Sequence, residues 1–393
     1  MEDEIHNLVE KLKSLIKDHE FYRENCLNLI ASENIMSKEA RKILSSDLVH
    51  RYTSRDKFYR GTRFLDEIES FAVEQAKRLF NCKYADVRLL SGHLCNMAMI
   101  LLFCKEGKIL SVSWKNGGYP GISDTGLSSL LKLSNIYFPY DEERMNIKIK
   151  ESLELIEREK PNLIFFGSSF ILFTQPVKEI APFFNGVKVY DASHVLGLIA
   201  GRRFQKPLEE GCNFIIGSTH KSFPGPQGGI LLSNDDRFLE LEKNIQLKIV
   251  DNAHWNRIAS LAYSLLEMRY FGEKYAEQII RNAKALAKGL DELKVRVKAK
   301  ELGFTNSHQV ILDYDSKESV IIADKLERAN IIVDSGGRIG VNEITRKGMK
   351  EEEMDKISQA LASVILKDNY EEAKSIVEKL IKDFNTLHFT FSA

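Results

Sequence analysis

The chain has 393 residues, 56 basic and 56 acidic side chains, and no net formal charge. At 44 % hydrophobic and 28 % charged it has ordinary globular composition, which excludes a disordered tail-like chain. The even charge excludes a generally basic nucleic-acid-binding surface, though not a local pocket for a phosphate. The N-terminal stretch MEDEIHNLVEKLKSLIKDHE is charged throughout and does not read as a secretion signal. Apolar runs such as Met97 to Cys104 are far short of the roughly 20 residues that span a bilayer. Five cysteines (26, 82, 95, 104 and 212) contain no CxxC pair and no zinc spacing, so we expect no metal site and reduced thiols in the cytoplasm.

Residues 4–30 read as a helix, with Ile5, Leu8, Leu12, Leu15 and Ile16 near a 3.6-residue period, and residues 62–80 as a second. Short apolar strands are then expected at 108–113, 162–169, 187–193, 213–219 and 229–233, with helices at 148–159 and 176–183. Nearly continuous apolar strands alternating with helices indicate a parallel sheet covered on both faces. A long helical stretch, 236–293, leads to a smaller α+β region. Its expected strands lie near 295–299, 308–313 and 331–334, and its helices at 318–329, 350–365 and 370–383. The reading is α/β with an N-terminal helical arm (1–45), a large domain (46–250) and a small C-terminal domain (251–393).

Ligands of an open parallel sheet bind outside the carboxyl ends of its strands. Three expected strands end in polar clusters there: Ser168-Ser169, Asp191 to His194, and Ser218 to Lys221. Lys221 is either a solvated surface charge or an amine for carbonyl chemistry of the Schiff-base kind. Asp191 either caps the next turn or keeps a pyridine nitrogen protonated. Ser91-Gly92, opening an apolar helix, is either a plain cap or a phosphate cradle at a helix start. No GxGxxG follows the first strand, which sets aside a dinucleotide-binding fold.

The chain resembles serine hydroxymethyltransferase over nearly its whole length. The matching segments are 29–37 (LIASENIMS), 59–69 (YRGTRFLDEIE), 91–96 (SGHLCN), 190–201 (YDASHVLGLIAG), 218–229 (STHKSFPGPQGG) and 338–349 (RIGVNEITRKGM). The resemblance implies a pyridoxal phosphate enzyme of the fold type I transferase class, with a mainly parallel seven-stranded sheet. It implies that Lys221 binds the cofactor as a Schiff base, that Asp191 faces the ring nitrogen, and that His194 and Ser169 lie near the ring hydroxyl. Ser91, Gly92, His93 and His220 would join the cofactor site, and Tyr119 would stand where the family stacks a histidine on the ring. Gly228 and Gly229 would reach the phosphate of a neighbouring subunit, and Tyr52 and Tyr59 would cross a dimer interface into a shared active site. Arg346 and Ser32 would hold the carboxylate of a small amino-acid substrate.

One departure bears on activity. Ser54 stands where the family carries a glutamate used in proton transfer and in handling the pterin. A hydroxyl cannot shuttle protons near neutral pH as a carboxylate does. The expectation is therefore hydroxymethyltransferase chemistry on serine, with tetrahydrofolate or tetrahydromethanopterin as a carrier that Ser54 puts in doubt. The alternatives are a pterin-independent aldolase or transaldolase acting on β-hydroxy amino acids, and a non-catalytic cofactor-binding paralogue. A homodimer is expected, with neither nucleic acid nor membrane as a partner.

Overall fold

The computed structural model describes residues 1–53 and 58–391. Its centre is a seven-stranded sheet in the order Tyr84–Asp86, Gly229–Ser233, Phe214–Ser218, Val187–Asp191, Leu163–Phe166, Lys108–Ser111, Ser134–Tyr137. Only Gly229–Ser233 runs antiparallel to its neighbours. The expected strands of this sheet are present; Gly229–Ser233 matches its expected bounds and the other four are shorter than expected. The edge strands Tyr84–Asp86 and Ser134–Tyr137 were not expected, because each has only three or four residues with a polar side chain among them. Leu163–Phe166 and Phe214–Ser218 are buried at every position, as a sheet covered on both faces requires.

The helix expected at 4–30 is Glu2–Glu24, and the chain leaves it to form a two-residue parallel ladder, Leu27–Asn28 with Ile331–Ile332. That ladder stitches the N-terminal segment to the C-terminal region. The stretch expected as helix over 236–293 is two helices, Phe238–Lys248 and Trp255–Glu292. The second, of 38 residues, packs on Arg63–Phe80 on one side and on Glu351–Lys367 on the other. The C-terminal region holds a small antiparallel ladder, Gln309–Ile311 with Arg338–Gly340. Near 295–299 only an isolated bridge forms, Val297 with Leu312. Among the described residues no helix is long and apolar enough to cross a membrane, and all five cysteines are free thiols.

Candidate active site

The strand ends converge where topology predicts. Ser91 caps the helix Gly92–Phe103, its Oγ accepting from the Leu94 amide at 3.1 Å. Gly92 is required by a close approach: a Cβ there would lie 2.4 Å from Ser218 Oγ and 3.2 Å from the Ser218 amide nitrogen. The helix start is thereby seated directly on the end of Phe214–Ser218.

Asp191 closes the next strand. Its Oδ1 accepts from the Ser193 amide and its Oδ2 from Asn96 Nδ2, both at 2.9 Å. Ser193 Oγ in turn accepts from the Ser218 amide at 3.0 Å, tying the two strand ends together. Lys221 follows in the same cluster, and its carbonyl accepts from Asn34 Nδ2 at 2.7 Å. Burial lowers the Lys221 pKa, opposed by the Asp191 carboxylate and assisted by Arg338. Lys221, Asp191, Gly92, His93, Tyr119 and His194 line one cavity of roughly 490 Å3, part of it open to solvent.

His194 is buried and stacks on His308, with centroids 5.9 Å apart and planes 15° from parallel. Burial, then the Lys221 and Arg338 cations, drive its pKa well below the ordinary value. His220 is held down to about 4 for the first two of those reasons, burial and Lys221. Ser169 lies at the cavity, and its carbonyl accepts from Arg338 Nη1 at 2.6 Å. Tyr119 and His93 face each other across the mouth, the phenol oxygen 3.0 Å from His93 Nδ1.

Two sets of expected residues lie away from the cavity lining. Arg346 is fully buried and absent from the cavity lining. Its Nη2 pairs with buried Glu267 at 2.8 Å, its Nη1 donates to the Phe389 carbonyl and its Nε to the Ile35 carbonyl. In this arrangement all three guanidinium nitrogens of Arg346 are engaged within the chain. The arginine beside His194 is Arg338, at the start of the strand Arg338–Gly340, with Nε on Asp334 at 2.8 Å. Gly228 and Gly229 are both buried within their own chain. A Cβ on Gly228 would meet Arg257, and one on Gly229 would lie 2.6 Å from the Ser91 carbonyl, so both positions require glycine's lack of a side chain.

The remaining expected residues are placed as follows. Ser32 sits half-buried in the turn after the Leu27–Asn28 strand, beside Ala31, which packs against Gly340. Tyr52 and Tyr59 lie on the surface, edge to face with centroids 4.9 Å apart, and the Tyr52 hydroxyl donates to Asp251 Oδ2 at 2.6 Å. Neither lines the cavity of its own chain. Ser54 lies outside the described residues. Sequence reasoning missed Asn96, Ser193, Arg338 and Gln309. A signal for the last existed: residues 305–309 (TNSHQ) are a polar run leading straight into the apolar VIL, the pattern of a strand end that carries a site.

The family model of serine hydroxymethyltransferase matches residues 5–361. A serine hydroxymethyltransferase from Methanobrevibacter smithii is 38 % identical over 409 residues, covering 98 % of this chain and 96 % of that protein. One from Sulfolobus acidocaldarius is 37 % identical, covering 99 % and 96 %. Among solved structures, the L-threonine transaldolase of Pseudomonas fluorescens in its internal aldimine state superposes with a TM-score of 0.91 at 26 % identity, covering 100 % of this chain and 95 % of that one.

Proposed function

The chain belongs to the serine hydroxymethyltransferase family, and from that premise we propose that it is a pyridoxal phosphate enzyme converting serine to glycine by transfer of a one-carbon unit to a tetrahydropterin. The reading is carried by one observation: the amine of Lys221 and the carboxylate of Asp191 share a cavity at the ends of adjacent strands. The residues present fit the cofactor. The cradle that a Cβ on Gly92 would fill, with its Ser91 cap, suits a phosphate; Asp191 suits a protonated ring nitrogen; and Lys221 would hold the aldehyde carbon. When bound, pyridoxal phosphate supplies an electron sink for negative charge developing at the α-carbon of an amino acid.

The chain's own residues do the rest. Burial, assisted by Arg338 and opposed by Asp191, lowers the Lys221 pKa and so favours the uncharged, nucleophilic form of its amine relative to a solvated lysine. Asn96 and the Ser193 amide both donate to Asp191 and so fix the orientation of its carboxyl group. Arg338, rather than Arg346, is the proposed clamp for the substrate carboxylate. Its Nε donates to Asp334 and one Nη1 hydrogen to the Ser169 carbonyl, Nη1 also lies 3.5 Å from His194 Nε2, and Nη2 has no hydrogen bond to the described residues. His194, neutral and buried, lends an orienting contact without adding charge.

A homodimer is part of the proposal. The 23-residue helix Glu2–Glu24 has no buried residue, and Ile5, Leu8, Leu12, Leu15 and Ile16 are each 52–59 % exposed. An apolar row of that length belongs against another surface. Exposed Tyr52, Phe58 and Tyr59 extend the apolar area. Five free thiols support a reducing, cytoplasmic setting.

The test is direct. Purified protein given pyridoxal phosphate should develop a visible absorption band that Lys221→Ala abolishes. Serine and threonine turnover are then measured with and without tetrahydrofolate and tetrahydromethanopterin. A colourless protein would overturn the cofactor reading. The likeness to a threonine transaldolase favours a second reading, a β-hydroxy-amino-acid aldolase or transaldolase. Aldehyde release from threonine with no pterin-dependent serine turnover would select it.

A further inference from the structure

Gln309 is fully buried at the start of the strand Gln309–Ile311, and each end of its side-chain amide meets a group of fixed polarity. The Ile171 backbone N–H, which can only donate, points at Oε1 from 2.9 Å. The Ser169 carbonyl, which can only accept, lies 3.0 Å from Nε2. These two main-chain groups leave the amide one orientation. Its second Nε2 hydrogen then faces His194 Nδ1 at 3.2 Å. That ring nitrogen must accept, so the proton of the neutral imidazole sits on Nε2.

We infer that Gln309 is a positioning residue that fixes the proton of His194 on Nε2, so that the ring nitrogen beside Arg338 is a hydrogen-bond donor. The consequence lies at the cavity. Nε2 is 3.5 Å from Arg338 Nη1, and a guanidinium is also only a donor. Two donors side by side with no acceptor between them are satisfied by one anionic oxygen. His308 supports the arrangement from below: its ring stacks on His194, and its Nε2 is 3.1 Å from the Ala31 carbonyl, which places its own proton there. Lys221, Arg338, His220 and His308 are the titratable or charged groups acting on His194. The identity of the held oxygen, on the cofactor ring or on the amino-acid carboxylate, rests on the proposed function; the position of the proton does not.

The experiment reads the proton itself. Protein labelled with 15N-histidine and loaded with pyridoxal phosphate is examined by long-range 1H–15N correlation, alongside Gln309→Glu and Gln309→Leu, with His194→Asn assigning the signal. The expected result is Nε2–H in the parent. In Gln309→Glu an acceptor replaces the donor and pulls a proton onto Nδ1. In Gln309→Leu both tautomers are populated. A parent ring protonated only on Nδ1 overturns the inference. So does an Nε2–H ring unchanged in Gln309→Leu, which reads out even where the charged variant does not fold. Failure of the parent to bind pyridoxal phosphate would refute the proposed function and still leave the tautomer measurable. Gln309→Leu also locates the oxygen. A shifted visible band with unchanged KM places it on the cofactor. A tenfold rise in KM with an unchanged band places it on the substrate. Neither change would overturn the shared-anion assignment.

Discussion

The carboxyl edge of the seven-stranded sheet and the segment 338–349 were both marked by sequence, and they behave differently. At the sheet edge Asp191, His194 and Lys221 all reach the cavity. In the C-terminal segment Arg346 turns into the core, and Arg338, eight positions earlier, lies beside the site. The contrast teaches that strand topology fixes which end of a parallel strand is functional. A helix such as Asn342–Arg346 has no such rule, and packing decides which way its last residue faces.

Breaking the two arginines separately is the sharpest test of this contrast. Arg346→Ala strands Glu267 in the core and should cost about 3–5 kcal/mol of stability, read by urea denaturation. Arg338→Ala should leave most of the stability and raise KM for the amino acid roughly 10–100-fold, the worth of a lost charge-assisted hydrogen bond. A stable Arg346→Ala protein with a raised KM would reverse the assignment.

The buried histidines give the next effect. Burial holds His308 down to about 3, and His220 to about 4. Above the unfolded value near 6.5 both states are neutral and the shift has no effect on stability. Below it the unfolded chain binds a proton that the folded one refuses. Stability therefore falls as pH drops from about 6.5 toward 3, by up to about 1.4 kcal/mol per pH unit for each such histidine. His308→Gln should flatten the decline between pH 6.5 and 5, measured as the change in urea midpoint. The smallest effect is expected at the mouth. Tyr119→Phe keeps the ring and loses only the contact with His93, so cofactor affinity by absorbance titration should weaken by roughly tenfold or less.

Much of the sheet was legible because apolar runs such as LIFF and FIIGS have no other stable home than a strand covered on both faces. The site at its edge followed from the same runs. The edge strands stayed hidden, because three or four half-polar residues carry no period to detect. Asn96 was hidden differently. It lies in the first turns of an otherwise apolar helix, and only the closeness of Asp191 gives it a task. Gln309 and Arg338 acquire their meaning from a ladder between residues about thirty positions apart, which local pattern does not encode.

The pairing of Leu27 with Ile331 has a consequence for how the molecule is assembled. The large sheet draws on residues 84–233 alone and can form early. The strap that carries Asn34 to the Lys221 carbonyl must wait for a strand some three hundred positions downstream. Contacts so distant along the chain close late. On refolding, recovery of the cofactor pocket should lag behind recovery of sheet structure, with the strap as the last piece fastened.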